Sequence, residues 1–381
     1  MEDTALRKMV TYLIISAAVL LAVVAFVIFR DDIGDEPLAF MTGWFSTRGG
    51  GDAEAGRIPL DEGRDAVLAL CDGRLAALSS ERFVLYDKAG REKSSRAVSF
   101  EIPALAVAGS KAIAYDRAGN AALVADAGGV RAEIDYAELA AAGNARGQYV
   151  LVTAESGYRG AAQLYDGKNR PVYKWYSAEH YIWAVSLAPS GRRMAVAAVG
   201  QKDGAVATRV AFLEPGRAEP LAVAELEDEI PLAAYSPDNN HVCIPAESGV
   251  YFYTDDGFPL GYYSYGGMKL LSVHAAEEAL FLHIGRNEGG QYSRLVCLSY
   301  TGAELGEAAF TEGPDGLAAA GRYCAALEAG VLTRYTLEGG ALKPEELGSS
   351  GARGLLMGPD GRILLLYSSY AKWYNDNEVS Q

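Results

Sequence analysis

The chain has 381 residues, 22% of them charged and 50% hydrophobic, with only four cysteines and a formal net charge of −15. The apolar content excludes a disordered chain and the few cysteines exclude a disulfide scaffold. The charge argues against nucleic-acid binding, which needs a basic face.

The first feature in chain order is Met9 to Phe29, 21 residues without a charge. At ~1.5 Å rise per residue a helix of that length is about 31 Å long, matching a hydrocarbon core of about 30 Å. Arg7 and Lys8 precede it and Arg30 follows. That Lys/Arg bias places residues 1–8 in the cytoplasm as a tail and the rest outside. A cleaved signal peptide has a shorter apolar run and an A-x-A-like site, which is absent after Phe29. The expectation is therefore a single-pass anchor at 9–29 in the cytoplasmic membrane. Glu2, Asp3, Arg7 and Lys8 cancel, so the net charge belongs to the exterior part. Residues 30–56 read as a stalk, with Gly49, Gly50, Gly51 and Gly56 favouring flexible coil.

From 57 to 381 a repeat is visible. A short apolar run ends in a large residue, and a turn closes on Gly four residues later: Phe83-Val84-Leu85-Tyr86-Asp87-Lys88-Ala89-Gly90 is its clearest copy. It returns as Tyr253-Thr254-Asp255-Asp256-Gly257, Leu298-Ser299-Tyr300-Thr301-Gly302 and Tyr335-Thr336-Leu337-Glu338-Gly339. Looser copies begin at Ala125, Tyr165, Phe212 and Tyr374. The eight positions are about 41 residues apart on average, the length of a four-stranded propeller blade. Between them fall Pro-containing hairpin turns: Ala188-Pro189-Ser190-Gly191, Ser236-Pro237-Asp238-Asn239 and Gly358-Pro359-Asp360-Gly361, each flanked by apolar runs.

The Ser-Pro-Asp turn followed by an apolar strand, with the Tyr-Asp-x-x-Gly turn, resembles the blades of TolB-like and other WD-repeat-like bacterial β-propellers. One span, a stalk and a propeller together resemble bacterial membrane-anchored propeller proteins. The resemblance implies a fold and supplies no mechanism. The Gly-His and Trp-Asp pairs of true WD repeats are absent.

Continuous apolar runs such as Val67–Cys71, Tyr149–Val152 and Ala279–Leu282 read as strands buried on both faces. After Tyr374 too little chain remains for another strand, and Arg57-Ile58-Pro59 is a strand candidate without a neighbour. Pairing the two closes the ring, with Pro59 suited to an outer edge. The fold class expected is all-β: a propeller of about eight four-stranded blades, or seven, after one transmembrane helix.

Catalytic signatures are lacking. No phosphate loop, dinucleotide fingerprint or nucleophile elbow occurs. His180, His241, His274 and His283 have no metal-like spacing, and Cys71, Cys243, Cys297 and Cys324 lie in different apolar strands, as buried thiols do. No cofactor or metal site is expected. Two aromatic clusters, around 173–183 and 251–265, cover links from an outer strand to the next inner strand, which meet at one rim. Rings there either pack between blades or bind a partner. Trp175, Tyr176, His180, Tyr181, Tyr263 and Tyr265 are the candidates for a partner-binding rim. The function expected is non-enzymatic binding of an envelope protein or peptide. The alternative is a carbohydrate- or peptide-processing enzyme at the propeller mouth, using a carboxylate pair.

Overall fold

Eight antiparallel sheets follow one another along the chain, seven of them built from consecutive strands. The computed structural model describes residues 57–374 except 61–65, 118, 136, 288–290, 343 and 348–350, and the side chains of 137–139. The tail, the span Met9 to Phe29 and the stalk lie outside the described residues. Among the described residues no helix is long and apolar enough to cross a membrane.

Blade 1 shows the pattern: Val67–Cys71 innermost, then Arg74–Leu78, Arg82–Tyr86 and Glu92–Ala97 outermost. Blade 2 runs from Pro103–Ala108 to Gly129–Asp135, blade 3 from Ala137–Gly143 to Pro171–Ser177, and blade 4 from Tyr181–Leu187 to Ala222–Glu227. Blade 5 has three full strands, His241–Pro245, Gly249–Thr254 and Pro259–Ser264; its innermost position is held by bridges at Pro231 and Tyr235. Blade 6 runs from Lys269–Ala275 to Glu304–Phe310, and blade 7 from Gly316–Ala320 to Glu345–Glu346. Blade 8 has Gly354–Met357, Ile363–Leu366 and Tyr370–Trp373, and takes its outermost strand from Arg57–Pro59. That strand pairs Arg57 with Lys372, Ile58 with Ala371 and Pro59 with Tyr370, closing the ring as its sequence implied. The blade count is eight.

The recurrent turn has a physical cause. The Asp87 Oδ1 atom accepts from the backbone N–H groups of Ala89 and Arg91, both at 2.9 Å. Asp166 does the same for Lys168 and Arg170, and the hydroxyls of Thr254 and Ser299 replace it in blades 5 and 6. The last turn position needs a left-handed backbone: Gly90 has φ of 79°, and Asn169 fills it in blade 3 with φ of 63°. A register shift sits just before this turn in blades 1, 2, 3, 5 and 6. Each such bulge bends the third strand into its hairpin.

Successive side chains of a strand point to opposite faces, and each blade spends both on its neighbours. In blade 1, Leu75, Ala77, Val84 and Tyr86 pack toward blade 8, while Ala76, Leu78, Phe83 and Leu85 pack toward blade 2. The core is therefore eight clusters, one per junction. Tyr149–Thr153 and Leu280–Gly285, both second strands, are buried throughout. Val67–Cys71 departs from expectation: it is half-buried except at Cys71. It is an innermost strand, and no strand covers its axial side. All four cysteines are free and buried. Burial pushes the Cys71 and Cys297 thiols up to about 12, which keeps them protonated and unreactive.

Candidate partner-binding rim

The links between blades and the hairpins between second and third strands share one face of the ring, because each blade is a four-stranded meander. On that face, exposed rings flank the junction of blades 3 and 4. Tyr176, 44% exposed, ends the outer strand of blade 3. Tyr158, in the hairpin of the same blade, is 46% exposed and lies with its ring centroid 4.7 Å from that of Tyr176. Tyr181 opens the inner strand of blade 4 and is 52% exposed. Arg159 lies over its ring at 5.1 Å and donates to its hydroxyl at 2.7 Å.

Trp183, two residues further along the same strand, is 40% exposed. The ladder between the first two strands of blade 4 steps from Ile182–Ala198 to Ala184–Ala197, so Trp183 has no partner across it. This bulge releases the indole from the junction core. Trp175, two residues before Ser177 on the outer strand, turns the other way and packs against that core.

A pocket of about 190 Å³ opens at this junction, with Tyr176 in its lining. Trp175, Ala198, Ala211 and Val223 form apolar walls. Glu179 and Arg209 lie at its edge, 3.3 Å apart, and Arg209 also meets Glu225 at 3.3 Å. Blades 1 and 2 form an equivalent notch of about 310 Å³, lined by Phe100, Leu123 and Ile134 and edged by the Arg96–Glu133 ion pair.

The rim candidates therefore divide. Trp175, Tyr176 and Tyr181 come together at one junction. His180 lines the same pocket but is only 8% exposed, its ring pressed against Gly200. Ser177 donates to its carbonyl at 2.5 Å. Burial, and secondarily Arg209, lowers its pKa. It is a packing residue, not the surface group expected. Tyr263 and Tyr265 lie away from the cluster, at the junction of blades 5 and 6. Tyr263 is half-buried and donates to Glu304 at 3.2 Å. Tyr265 is 0% exposed, so its expected place on a binding rim is corrected. Its ring fills the space between two blades, as large residues there do. Sequence reasoning missed Tyr158 and Arg159. The signal available was the Ser156-Gly157 turn between the apolar runs of blade 3, which places both on this rim.

The central channel offers other chemistry. A pocket of about 320 Å³ is lined by inner strands of blades 3, 4 and 6 and the 234–237 segment of blade 5, with Ala142, Val185, Leu187 and Pro237 among its walls. Its polar contact is Ser186 with Ser236 at 2.8 Å, and no carboxylate lines it. Among the described residues no group of His, Cys, Asp and Glu could hold a metal ion.

Ring and rim define an eight-bladed β-propeller with four exposed aromatic side chains on blades 3 and 4. The chain belongs to a family of unknown function (DUF5711), whose model matches residues 59–344. Its fold is similar to that of BamB from Moraxella catarrhalis, with 16% identity over 84% of this chain and 97% of that one, at a TM-score of 0.52. No curated protein matches the chain.

Proposed function

We propose that this protein is a membrane-anchored propeller that docks a protein partner outside the cytoplasm through the rim of blades 3 and 4. One observation carries the reading: Tyr176 is exposed at an apolar pocket with the exposed ring of Tyr158 against it, and the exposed Tyr181 and Trp183 lie on the adjoining inner strand of blade 4. Tyr and Trp give large contact area at low entropic cost and dominate binding hot spots. Met9 to Phe29 supplies the anchor, and the charge flanking it sets the orientation.

Photocrosslinking in intact cells tests the docking. A benzophenone amino acid at Tyr176 or Tyr181 should give one discrete protein adduct, which Trp183→Ala weakens at least fivefold. The same probe at Tyr323, 46% exposed on blade 7, should give none. Equal adducts at both places, or none at the rim, would overturn the reading. Orientation is read with Lys168→Cys and an impermeant maleimide. Labelling of intact cells is expected, with little background because the native thiols are buried.

A further inference from the structure

The junction of blades 2 and 3 holds an open cleft of about 640 Å³, and its lining is polar. The face of blade 3 toward blade 2 supplies most of it. Gln163 stands directly across the ladder from Lys174 on one side and from Leu151 on the other, and Thr153 lies two residues beyond Leu151. Directly opposed side chains of a ladder lie about 5 Å apart and diagonal ones about 7 Å, so all three border one small volume. Asp135 joins them from the end of the outer strand of blade 2. Glu155 pairs with Lys174, which makes that couple neutral as a unit. Tyr165 is the aromatic member of the lining, its ring stacked on Tyr149 at 4.9 Å.

The cleft has hydrogen-bonding capacity that the protein does not use. Thr153 is 6% exposed, and among the described residues its buried Oγ1 has no partner. The Nε2 of Gln163 donates to the Tyr173 carbonyl at 2.7 Å, while its Oε1 has no partner among the described residues. The same holds for the carboxylate of Asp135. An unpaired buried hydroxyl is costly, and a ligand that pairs it recovers the cost. Asp135 and the net charge of −15 oppose an anion. A divalent metal needs more ligands, and no suitable group occurs among the described residues. A sugar hydroxyl both donates and accepts, which suits a mixed set of carboxylate, amide oxygen and hydroxyl. The volume lies within the ~300–1,000 Å³ of small-molecule sites. We propose that this cleft binds a neutral sugar of one or two rings, with its hydroxyls on Asp135, Gln163 and Thr153 and its C–H face on Tyr165. The proposal does not rest on the docking reading.

The test is ligand-detected NMR titration of full-length protein, in a detergent without a sugar headgroup. The neutral probes are glucose, maltose, cellobiose and diacetylchitobiose; glucuronate and glucosamine are the charged counterparts. At least one neutral probe should bind saturably, and more tightly than either charged one. Thr153→Val should weaken that binding about fivefold or more while leaving the melting temperature unchanged or raised, because the hydroxyl it removes has no partner in the protein. Asp135→Ala, at an exposed position, should weaken it by a similar factor. Trp183→Ala should leave it unchanged, and Thr153→Val should leave the Tyr176 photocrosslink unchanged. Saturable binding of no neutral probe, tighter binding of a charged one, or full affinity in Thr153→Val would each overturn the sugar site and leave the docking rim standing.

Discussion

Replacing Ile58 by Ala should loosen the ring at its seam. Ile58 is 2% exposed and sits in the cluster of Leu75, Ala77, Tyr86 and Leu364 between blades 8 and 1. Gly90 presses on it so closely that a Cβ there would lie 3.0 Å from its Cγ1. The substitution deletes three carbons, worth about 2.4 kcal/mol of transfer free energy at ~0.8 per carbon. The walls on both sides belong to paired strands and relax little, so a cavity contribution brings the cost to about 3–4 kcal/mol. Ile58→Val should cost about 1 kcal/mol. The assay is urea unfolding followed by tryptophan fluorescence, since Trp373 lies in the strand paired with residues 57–59. Val172→Ala is the control: Val172 is 54% exposed on the outer strand of blade 3 and should shift stability by less than about 0.5 kcal/mol. An Ile58→Ala midpoint no lower than that control, with unchanged slope, would refute the reasoning that the seam is a packed junction like the other seven.

Burial holds His274 and His283 near 4 against an ordinary 6.5. The unfolded chain takes up protons below about 6.5 and the folded chain does not until about 4. Stability should therefore fall as pH drops through that window, by up to about 1.4 kcal/mol per pH unit for each histidine. Among the described residues the buried Nε2 atom of His274 has no hydrogen-bond partner. His274→Leu should leave stability at pH 7 unchanged or raised, and flatten the acid limb of melting temperature against pH; an unaltered limb would contradict this. Two glycine substitutions should separate steric from conformational cost in thermal melts. A Cβ on Gly143 would meet the Val107 carbonyl oxygen at 2.3 Å and the Ala108 Cα at 2.8 Å, both backbone of the preceding blade, so Gly143→Ala should cost several kcal/mol. Gly204→Ala meets nothing within 4 Å and should cost only the ~1–2 kcal/mol of its φ of 84°.

What the sequence disclosed, it disclosed through backbone demands. A left-handed turn position accepts Gly or Asn and little else, so Gly90, Asn169, Gly257 and Gly302 mark the blades at regular spacing. Pro59 was legible as an edge residue for the same reason, since it has no N–H to give a ladder. Side-chain exposure was less legible. Tyr176 and Tyr265 look alike in sequence, yet one ends an outer strand in solvent and the other is enclosed between blades 5 and 6. Trp183 is exposed only because a bulge at that residue breaks the two-residue alternation. His180 is buried because Gly200, on the next strand, leaves room for its ring. Both depend on the cross-strand pairing within blade 4, which a single strand's composition does not encode. The membrane span, read from its uncharged run, lies outside the described residues.

The seam has a mechanical meaning as well. Arg57–Pro59 is both the strand that closes the ring and the first described segment after residues 1–56. Tension along that N-terminal segment, whatever holds its far end, reaches the propeller at a pairing three residues long. The ring would yield there first, freeing the outer edge of blade 8 while the seven other junction cores stay intact. The ring is therefore weakest to a pull along its own leading segment.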